Sequence, residues 1–232
     1  MTARAVILWR HGRTAYNAAA RLQGQIDIPL DEVGLWQVEQ AAAHIAVRHH
    51  PARIVASDLG RAHSTADALG RITGLTVGLD PRLRERAFGE WEGLTGEEIR
   101  ARWPEQHATW QAGRDPERTG AESRAEVGVR VAGAVTELAH DLPRDETLVV
   151  VSHGAAITLG LAVLLGQDAA TWRGLSGLHN AHWTLLRPGR HEGATPWFIE
   201  AHNLGPSVAV DDWNAGVPGD AMPSSTADAM RT

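Results

Sequence analysis

The sequence predicts an α/β fold, a three-layer α/β/α sandwich built around a mostly parallel central sheet. Short apolar runs of strand length alternate with longer segments whose apolar residues recur at helical spacing. Two of the apolar runs, 5–9 and 147–151, lead into a His-Gly pair, His11-Gly12 and His153-Gly154. Open α/β folds bind their ligands at the carboxyl ends of parallel strands. Both imidazoles are therefore expected side by side at that edge of the sheet.

The first part of the chain predicts the order β-α-β-α-β. Strands are predicted at 5–9, 53–56 and about 75–79, and helices at about 31–48 and between residues 58 and 74. Ser57 and Asp58 are candidates to cap the second helix, and Gly74 is expected to end it.

The later part of the chain adds the order α-β-α and a hairpin. Helices are predicted at 121–140 and 154–165, with the strand 147–151 between them. Residues 181–186 and 197–202 flank a Pro/Gly-rich turn and predict a hairpin at one side of the sheet.

Residues 84–120 differ from the rest, because they combine tryptophans, charges, Gly and Pro with only short helical pieces. We expect this segment to be a small helical insertion over the active site. We expect residues 1–217 to form one domain, with loop structure after Gly205. Residues 218–232 are small and polar and are expected to be a flexible tail.

Composition excludes several chemistries. With 232 residues, 43% hydrophobic and 22% charged, the chain is typical of a globular protein. It has no cysteine, which excludes disulfides, thiolate metal ligands and a cysteine nucleophile. All 22 basic residues are arginine, which excludes Schiff-base chemistry and the lysine of a P-loop. The formal charge of -6 argues against nucleic-acid binding, so an anionic substrate needs a local arginine cluster.

The sequence also predicts no membrane partner. No apolar run approaches the roughly 20 residues that a membrane-spanning helix needs. The chain enters its first strand without the basic region and apolar core of a signal peptide. We therefore expect a cytoplasmic protein.

The residues beside the two His-Gly pairs suit a phosphate site. A phosphomonoester carries about two negative charges, and its attacking group should be uncharged. His11 meets that condition when it is neutral, and a backbone carbonyl on one ring nitrogen would present the other nitrogen to phosphorus. Arg10, Arg61 and His153 form the expected cationic clamp, because a planar guanidinium matches two phosphate oxygens. Gly154 leaves room for the ligand.

Each motif also has an ordinary structural explanation. An Arg-His-Gly triplet alone is typical of a surface turn, and Arg61 alone is typical of a solvated helix residue. Glu85 stands among arginines and fits an exposed ion-pair patch. His179 and His182 are candidate metal ligands, but neither an HExxH helix nor a carboxylate cluster accompanies them. We therefore expect no metal and no cofactor.

Four separated segments together resemble one known family. They are Arg10-His11-Gly12 with Thr14 and Asn17, the run 57–62 with Thr65, the run 83–93 around Glu85, and Ser152-His153-Gly154. In this order they resemble the motifs of the histidine phosphatase superfamily, also called the phosphoglycerate-mutase-like family. The resemblance extends to about residue 203 and implies that family's fold and phosphoryl chemistry.

The resemblance also implies roles for individual residues. It implies that His11 becomes phosphohistidine and that Glu85 is the acid/base catalyst. The residues expected to bind the phosphate are Arg10, Asn17, Arg61, His153 and Gly154. The role of Glu85 has a physical reason, because the departing alkoxide of a sugar or glycerate phosphate is a strong base and needs a proton. The resulting carboxylate would then activate the water that hydrolyses the phosphohistidine.

Family members differ in whether water or a second acceptor takes the phosphoryl group. The run 88–93, Phe-Gly-Glu-Trp-Glu-Gly, resembles the phosphatase branch and lacks the Tyr-Gly pattern of the mutases. We therefore favour hydrolysis of a small-molecule phosphomonoester. The alternatives are a broad-specificity acid phosphatase, a phosphoglycerate mutase and a noncatalytic phospholigand-binding module.

Further segments resemble one actinobacterial branch, whose members remove phosphate from glucosyl-3-phosphoglycerate. These segments are Leu22-Gln23-Gly24 and the runs 91–99, 180–184 and 210–215. They make Gln23 and Gly24 candidate substrate contacts. Arg13 is a departure, because related proteins commonly have Gln or Glu at this position. Two explanations are open: the added positive charge favours a more anionic substrate, or Arg13 pairs with an acidic neighbour. By analogy with the family, we expect a homodimer.

Overall fold

The computed structural model describes residues 2–189 and 197–216, and within them six strands form one sheet. In chain order these are β1 Ala5–Arg10, β2 Arg53–Ala56, β3 Val77–Leu79, β4 Thr147–Ser152, β5 Trp183–Pro188 and β6 Trp197–Leu204. Their order across the sheet is β3-β2-β4-β1-β5-β6. The strands β1 to β4 pair in parallel, and β5 is antiparallel to both β1 and β6. The mostly parallel sheet and the edge hairpin are as predicted.

Eight α-helices lie in the part of the chain that the structure describes. They are α1 Ala15–Ala18, α2 Glu32–His49, α3 Gly60–Thr73, α4 Gly96–Arg102, α5 Pro104–Gln111, α6 Arg124–His140, α7 Gly154–Leu164 and α8 Val210–Ala215. Across residues 2–189 and 197–216, no helix combines the length and apolar character that crossing a membrane requires.

Side chains that alternate along the buried strands divide the core into two halves. On β1, Val6 and Leu8 pack in a cluster with apolar residues of α6 and α7. The intervening Ile7 and Trp9 pack in a second cluster with residues of α2 and α3. Helices therefore cover both faces of the sheet, which confirms the α/β/α sandwich.

The start of α3 differs from the prediction, because Ser57 and Asp58 do not cap it. The N-cap residue is Leu59, whose side chain makes no capping hydrogen bond. The first N–H of α3 donates instead to the Asp27 carboxylate, at 2.9 Å. Asp58 is not free to cap the helix, since its carboxylate pairs with Arg84 at 2.6 Å.

Two short helices were not predicted. In α1, Thr14 and Asn17 form a reciprocal capping box. The helix α8 occupies the region after Gly205 that was expected to be loop, and its Trp213 is buried against the body of the fold. Acidic residues in its first turn, Asp211 and Asp212, were the available sequence signal. The predicted tail at 218–232 lies outside the described residues.

The segment 84–120 contains a 3-10 helix at Gly89–Trp91 followed by α4 and α5. Phe88, Trp91 and Ile99 are buried in a third apolar cluster, separate from the two that flank the sheet. That this segment is an insertion remains a prediction.

Glycine in the first turn of α2 permits close contact with the loop that follows β1. A Cβ atom on Gly34 would lie only 2.0 Å from the backbone oxygen of Arg13. We expect Gly34→Ala to lower the melting temperature, although alanine favours helix, because the loop would have to move. The control is Gly133→Ala in α6, where no atom lies within 4 Å of the added Cβ. There alanine should stabilise by about 1 kcal/mol. A Gly34→Ala melting temperature at or above wild type would contradict the prediction.

Candidate active site

The pairing of β1 with β4 brings the two His-Gly motifs together. The strands are adjacent and parallel, and Arg10 lies opposite Ser152 in their register. The next residue after each is a histidine. The rings of His11 and His153 consequently lie with their centroids 5.1 Å apart and their planes tilted by 58°. This is the side-by-side placement that the sequence predicted.

A cavity of about 230 Å³ opens at this edge of the sheet. Eight of the nine residues nominated from the sequence line it: Arg10, His11, Asn17, Gln23, Gly24, Arg61, Glu85 and Gly154. The ninth, His153, is fully buried against His11 and Arg61. The folded chain therefore gathers these residues from five separate stretches of sequence.

His11 is held as one neutral tautomer. Its Nδ1 lies 2.7 Å from the carbonyl oxygen of Gly12 and donates a hydrogen bond to it. The other ring nitrogen, Nε2, then carries no proton. Burial and the positive charges of Arg61 and Arg10 lower the pKa of His11 well below its usual value of 6.5. At neutral pH the imidazole therefore has the uncharged form that attack on an anion requires.

His153 is not the cation that the sequence analysis expected. Its Nδ1 accepts a hydrogen bond from Nε of Arg61 at 3.2 Å. Burial, with the charge of Arg61 next in importance, lowers the pKa of His153 well below 6.5. The neutral ring carries its proton on Nε2, which has no hydrogen-bond partner within the described residues. In this state His153 offers a neutral N–H donor.

Arg10 and Arg61 supply the positive charge of the cavity. The two terminal nitrogens of Arg61 donate to the backbone oxygens of Ile26 at 2.8 Å and Gly24 at 2.7 Å. Nη1 of Arg10 donates to the Leu178 oxygen at 2.5 Å, and its Nε is buried without a partner among the described residues. Burial lowers the pKa of both arginines, but neither side chain loses its charge in the physiological range. Backbone oxygens thus orient both guanidinium groups.

Glu85 contacts the first turn of α7. Its Oε1 accepts hydrogen bonds from the N–H groups of Arg86 and Ala156, both at 2.8 Å. Its Oε2 accepts from the Ala155 N–H at 3.1 Å. A helix N-terminus favours negative charge, so this site suits a carboxylate. Glu85 is only 9% exposed, which excludes the exposed ion-pair patch as its explanation.

Asn17 is oriented by three hydrogen bonds to its side-chain oxygen. This Oδ1 accepts from the N–H and the hydroxyl of Thr14, at 3.2 and 3.1 Å, and from Nδ2 of Asn180 at 3.1 Å. Because the oxygen is occupied, the amide N–H groups of Asn17 remain to donate. The side chain of Asn17 therefore presents donors to the cavity that it lines.

Gln23 and Gly24 form the wall where the loop after α1 meets Arg61. Gln23 is 7% exposed, and its Oε1 has no partner among the described residues. Gly24 has a φ of +54°, and a Cβ there would lie 2.0 Å from the carboxylate of Glu92. Only glycine fits at this position without displacing Glu92. Across the cavity, a Cβ on Gly154 would come within 3.4 Å of Nε of Arg10.

Arg13 does not line the cavity. Its Nε donates to Asp31 at 2.9 Å, and its Nη1 donates to the backbone oxygen of Asn214 at 2.6 Å. Of the two explanations offered for Arg13, pairing with an acidic neighbour is the one that the structure supports.

Other residues at the site were not nominated from the sequence as site residues. Phe88 and Leu178 line the cavity, and Asn180 donates hydrogen bonds to the backbone of the His11 loop. No local motif marks Leu178, and Asn180 entered the sequence analysis only as the first residue of the run 180–184. Both residues belong to the long connection after α7 and meet β1 only in the folded chain. Within the described residues, no three potential metal ligands lie close enough together to hold an ion.

Comparison with known proteins places this geometry in a family. The model of the histidine phosphatase superfamily (branch 1) matches residues 6–200. Glucosyl-3-phosphoglycerate phosphatase of Mycobacterium tuberculosis is 38% identical over 222 residues, which cover 91% of this chain and 99% of that protein. A protein of Yersinia pestis named probable phosphoglycerate mutase is 38% identical over 208 residues, covering 84% of this chain and 91% of that protein.

A solved structure gives the same relationship. The mycobacterial glucosyl-3-phosphoglycerate phosphatase in complex with VO3 is 39% identical, with a TM-score of 0.77. The match covers 87% of this chain and 99% of that one. With a family model that spans most of its length and relatives of this similarity, the chain belongs to the histidine phosphatase superfamily, branch 1.

Proposed function

We propose that this histidine phosphatase hydrolyses glucosyl-3-phosphoglycerate through a phosphohistidine formed on His11. The observation that carries the mechanism is the neutral His11, with Nδ1 fixed on a backbone oxygen, in a cavity that Arg10 and Arg61 make positive. The choice of substrate is supported by the 38% identity to the mycobacterial enzyme named glucosyl-3-phosphoglycerate phosphatase, over nearly the full length of that enzyme.

The first half of the proposed reaction forms a bond from Nε2 of His11 to phosphorus. The bond from phosphorus to the glycerate oxygen breaks, and its electron pair leaves with that oxygen. Glu85 in its acid form gives the oxygen a proton and becomes a carboxylate. Arg10 and Arg61 bind the phosphoryl oxygens as their charge changes, and Asn17 and the Nε2–H of His153 add neutral donors.

The second half of the proposed reaction returns the enzyme to its starting state. The Glu85 carboxylate takes a proton from water, whose oxygen attacks phosphorus. The bond between phosphorus and Nε2 breaks, its electron pair returns to His11, and inorganic phosphate leaves. The N–H groups of Ala155 and Ala156 stabilise the carboxylate that this half requires.

A phosphoglycerate mutase remains the second candidate, because the relative from Yersinia pestis is also 38% identical. Steady-state kinetics on glucosyl-3-phosphoglycerate, mannosyl-3-phosphoglycerate and p-nitrophenyl phosphate, beside an assay for 3-phosphoglycerate isomerisation, separate the two. The proposal expects the highest kcat/KM for the first substrate. Isomerisation faster than any hydrolysis would contradict it. The homodimer and the cytoplasmic location remain predictions.

Replacing His11 by alanine should lower kcat by more than about a thousandfold, the scale expected for removal of a catalytic nucleophile. Rapid quenching in alkali with labelled substrate should trap phosphohistidine in the wild type and none in the variant. The matched control is His140→Ala, at the exposed end of α6, which should leave kcat unchanged. Turnover that survives in His11→Ala would contradict the assignment of the nucleophile.

Replacing Glu85 by glutamine should separate the two halves of the reaction. The p-nitrophenolate group leaves without a proton, whereas a sugar or glycerate alkoxide needs one. With p-nitrophenyl phosphate the variant should release one equivalent rapidly and then turn over at least about a hundredfold more slowly than wild type. With the glycerate ester the burst should be absent. Equal bursts with both substrates would argue against acid catalysis by Glu85.

The pH dependence of kcat/KM should report the lowered pKa of His11. This parameter reflects ionisations of the free enzyme, and a pKa well below 6.5 keeps the imidazole neutral as the pH falls through 6.5. Activity should therefore show no enzyme ionisation near pH 6.5, and the acid limb should lie below it. Because the phosphate group of the substrate also ionises in this range, its pKa is measured by phosphorus NMR and its contribution is removed from the profile of kcat/KM. An enzyme limb centred at pH 6.5 would show that the imidazole is not desolvated.

A further inference from the structure

Asn180 is a buried side chain directly behind the loop that carries His11. Its Nδ2 lies 3.2 Å from the His11 oxygen, 3.3 Å from the Gly12 oxygen and 3.1 Å from Oδ1 of Asn17. Two N–H bonds of one amide are thus shared among three oxygens. The side chain does not line the cavity, so it touches the site only through these residues.

The contact with Gly12 concerns the group that sets the tautomer of His11. The Gly12 oxygen accepts both from Nδ1 of His11, at 2.7 Å, and from Nδ2 of Asn180, at 3.3 Å. The peptide oxygen is therefore fixed from two directions. Without the Asn180 donor, the Gly12 peptide has one restraint fewer. The hydrogen bond from Nδ1 of His11 to the Gly12 oxygen is then less well fixed, and this is the bond that keeps Nδ1 protonated and Nε2 free.

The contact with Asn17 decides which end of another amide faces the cavity. Oδ1 of Asn17 accepts from Asn180 as well as from Thr14, so its N–H groups point elsewhere. An amide can present an acceptor or a donor by rotating half a turn. An acceptor facing a phosphate dianion would be repelled, so Asn180 helps to keep the donor end in place.

Asn180 is itself fixed by the last described helix of the chain. Its backbone oxygen accepts from Nε1 of Trp213 at 2.9 Å, and the backbone oxygen of Trp213 accepts from Nε2 of Gln37 at 2.8 Å. Oε1 of Gln37 in turn accepts from the Arg13 N–H at 3.0 Å. A closed path of hydrogen bonds therefore joins α8, α2 and the loop of His11.

We propose that Asn180 is a positioning residue of the phosphatase reaction, which fixes the tautomer of His11 and the orientation of the Asn17 amide, and that Trp213 holds it in place. The inference rests on the proposed function, in which His11 is the nucleophile.

The test replaces Asn180 by aspartate and, separately, by leucine. Both variants keep the approximate shape and remove the N–H donors, and only the first adds charge. We expect kcat for p-nitrophenyl phosphate to fall about tenfold to a hundredfold in both, the range typical of residues that orient a reacting group. Two-bond proton–nitrogen NMR spectra should show protonated Nδ1 on His11 in the wild type and a mixture of tautomers in the variants. The His11 signals are identified by their absence in His11→Gln.

Controls distinguish positioning from loss of stability. Ile45→Val removes one buried methyl group from α2 away from this network and should leave both kcat and the tautomer unchanged. Trp213→Phe removes the Nε1 donor to Asn180, together with part of a buried ring that packs on Trp36 and His182, and should give a loss of at least threefold with a partial change of tautomer. If neither Asn180 variant folds, the activity and the His11 tautomer of Trp213→Phe decide whether Asn180 is a positioning residue.

The outcomes are distinct from those that test the nucleophile. A loss smaller than tenfold in a folded Asn180 variant, or any loss with an unchanged His11 tautomer, overturns the inference. The NMR measurement does not require turnover. A shifted tautomer combined with an active His11→Ala would therefore refute the nucleophile while leaving the coupling between Asn180 and His11 intact.

Discussion

The parallel pairing of β1 with β4 is the constraint on which the site depends. Both strands are buried at the centre of the sheet, and their hydrogen-bond ladder continues to the N–H of His11, which donates to the Ser152 oxygen at 3.1 Å. Because both faces of each strand are packed, a shift of one residue would exchange side chains of different size, such as Leu8 and Trp9, between the two apolar clusters. The apolar packing on both sides therefore fixes the register. That register in turn sets His11 beside His153.

Desolvation then determines the electrostatics of the site. Two imidazoles lie among two buried guanidinium groups, where a further positive charge is unfavourable, and the pKa values of His11 and His153 fall accordingly. The arginines remain charged because backbone oxygens solvate them in place of water. A chain with a net charge of -6 thereby contains a local positive cavity lined by a neutral imidazole, that of His11.

Much of the site is built from backbone groups. The Gly12 oxygen sets the tautomer of His11, the Gly24 and Leu178 oxygens orient the arginines, and two amides of α7 bind Glu85. Backbone groups have fixed positions once the loops are packed, so they orient side chains with little loss of rotamer entropy on ligand binding. The histidine phosphatase chemistry consequently depends on how three distant loops pack, in addition to the identity of a few side chains.

The sequence by itself determined the layered fold and placed His11 and His153 at one edge of the sheet, because local patterns predict both. Asn17, Gln23, Gly24 and Glu85 were expected at the site only from the resemblance to a family. Apolar periodicity separates strands from helices, and an arginine or histidine directly after a buried strand must lie at the sheet edge. The tertiary structure alone decided the neutral state of His153, the binding of Glu85 by α7, the pairing of Arg13 with Asp31 and the hydrogen bonds from Asn180 to the His11 loop. These depend on burial and on contacts between residues far apart in the chain, and no local pattern carries that information.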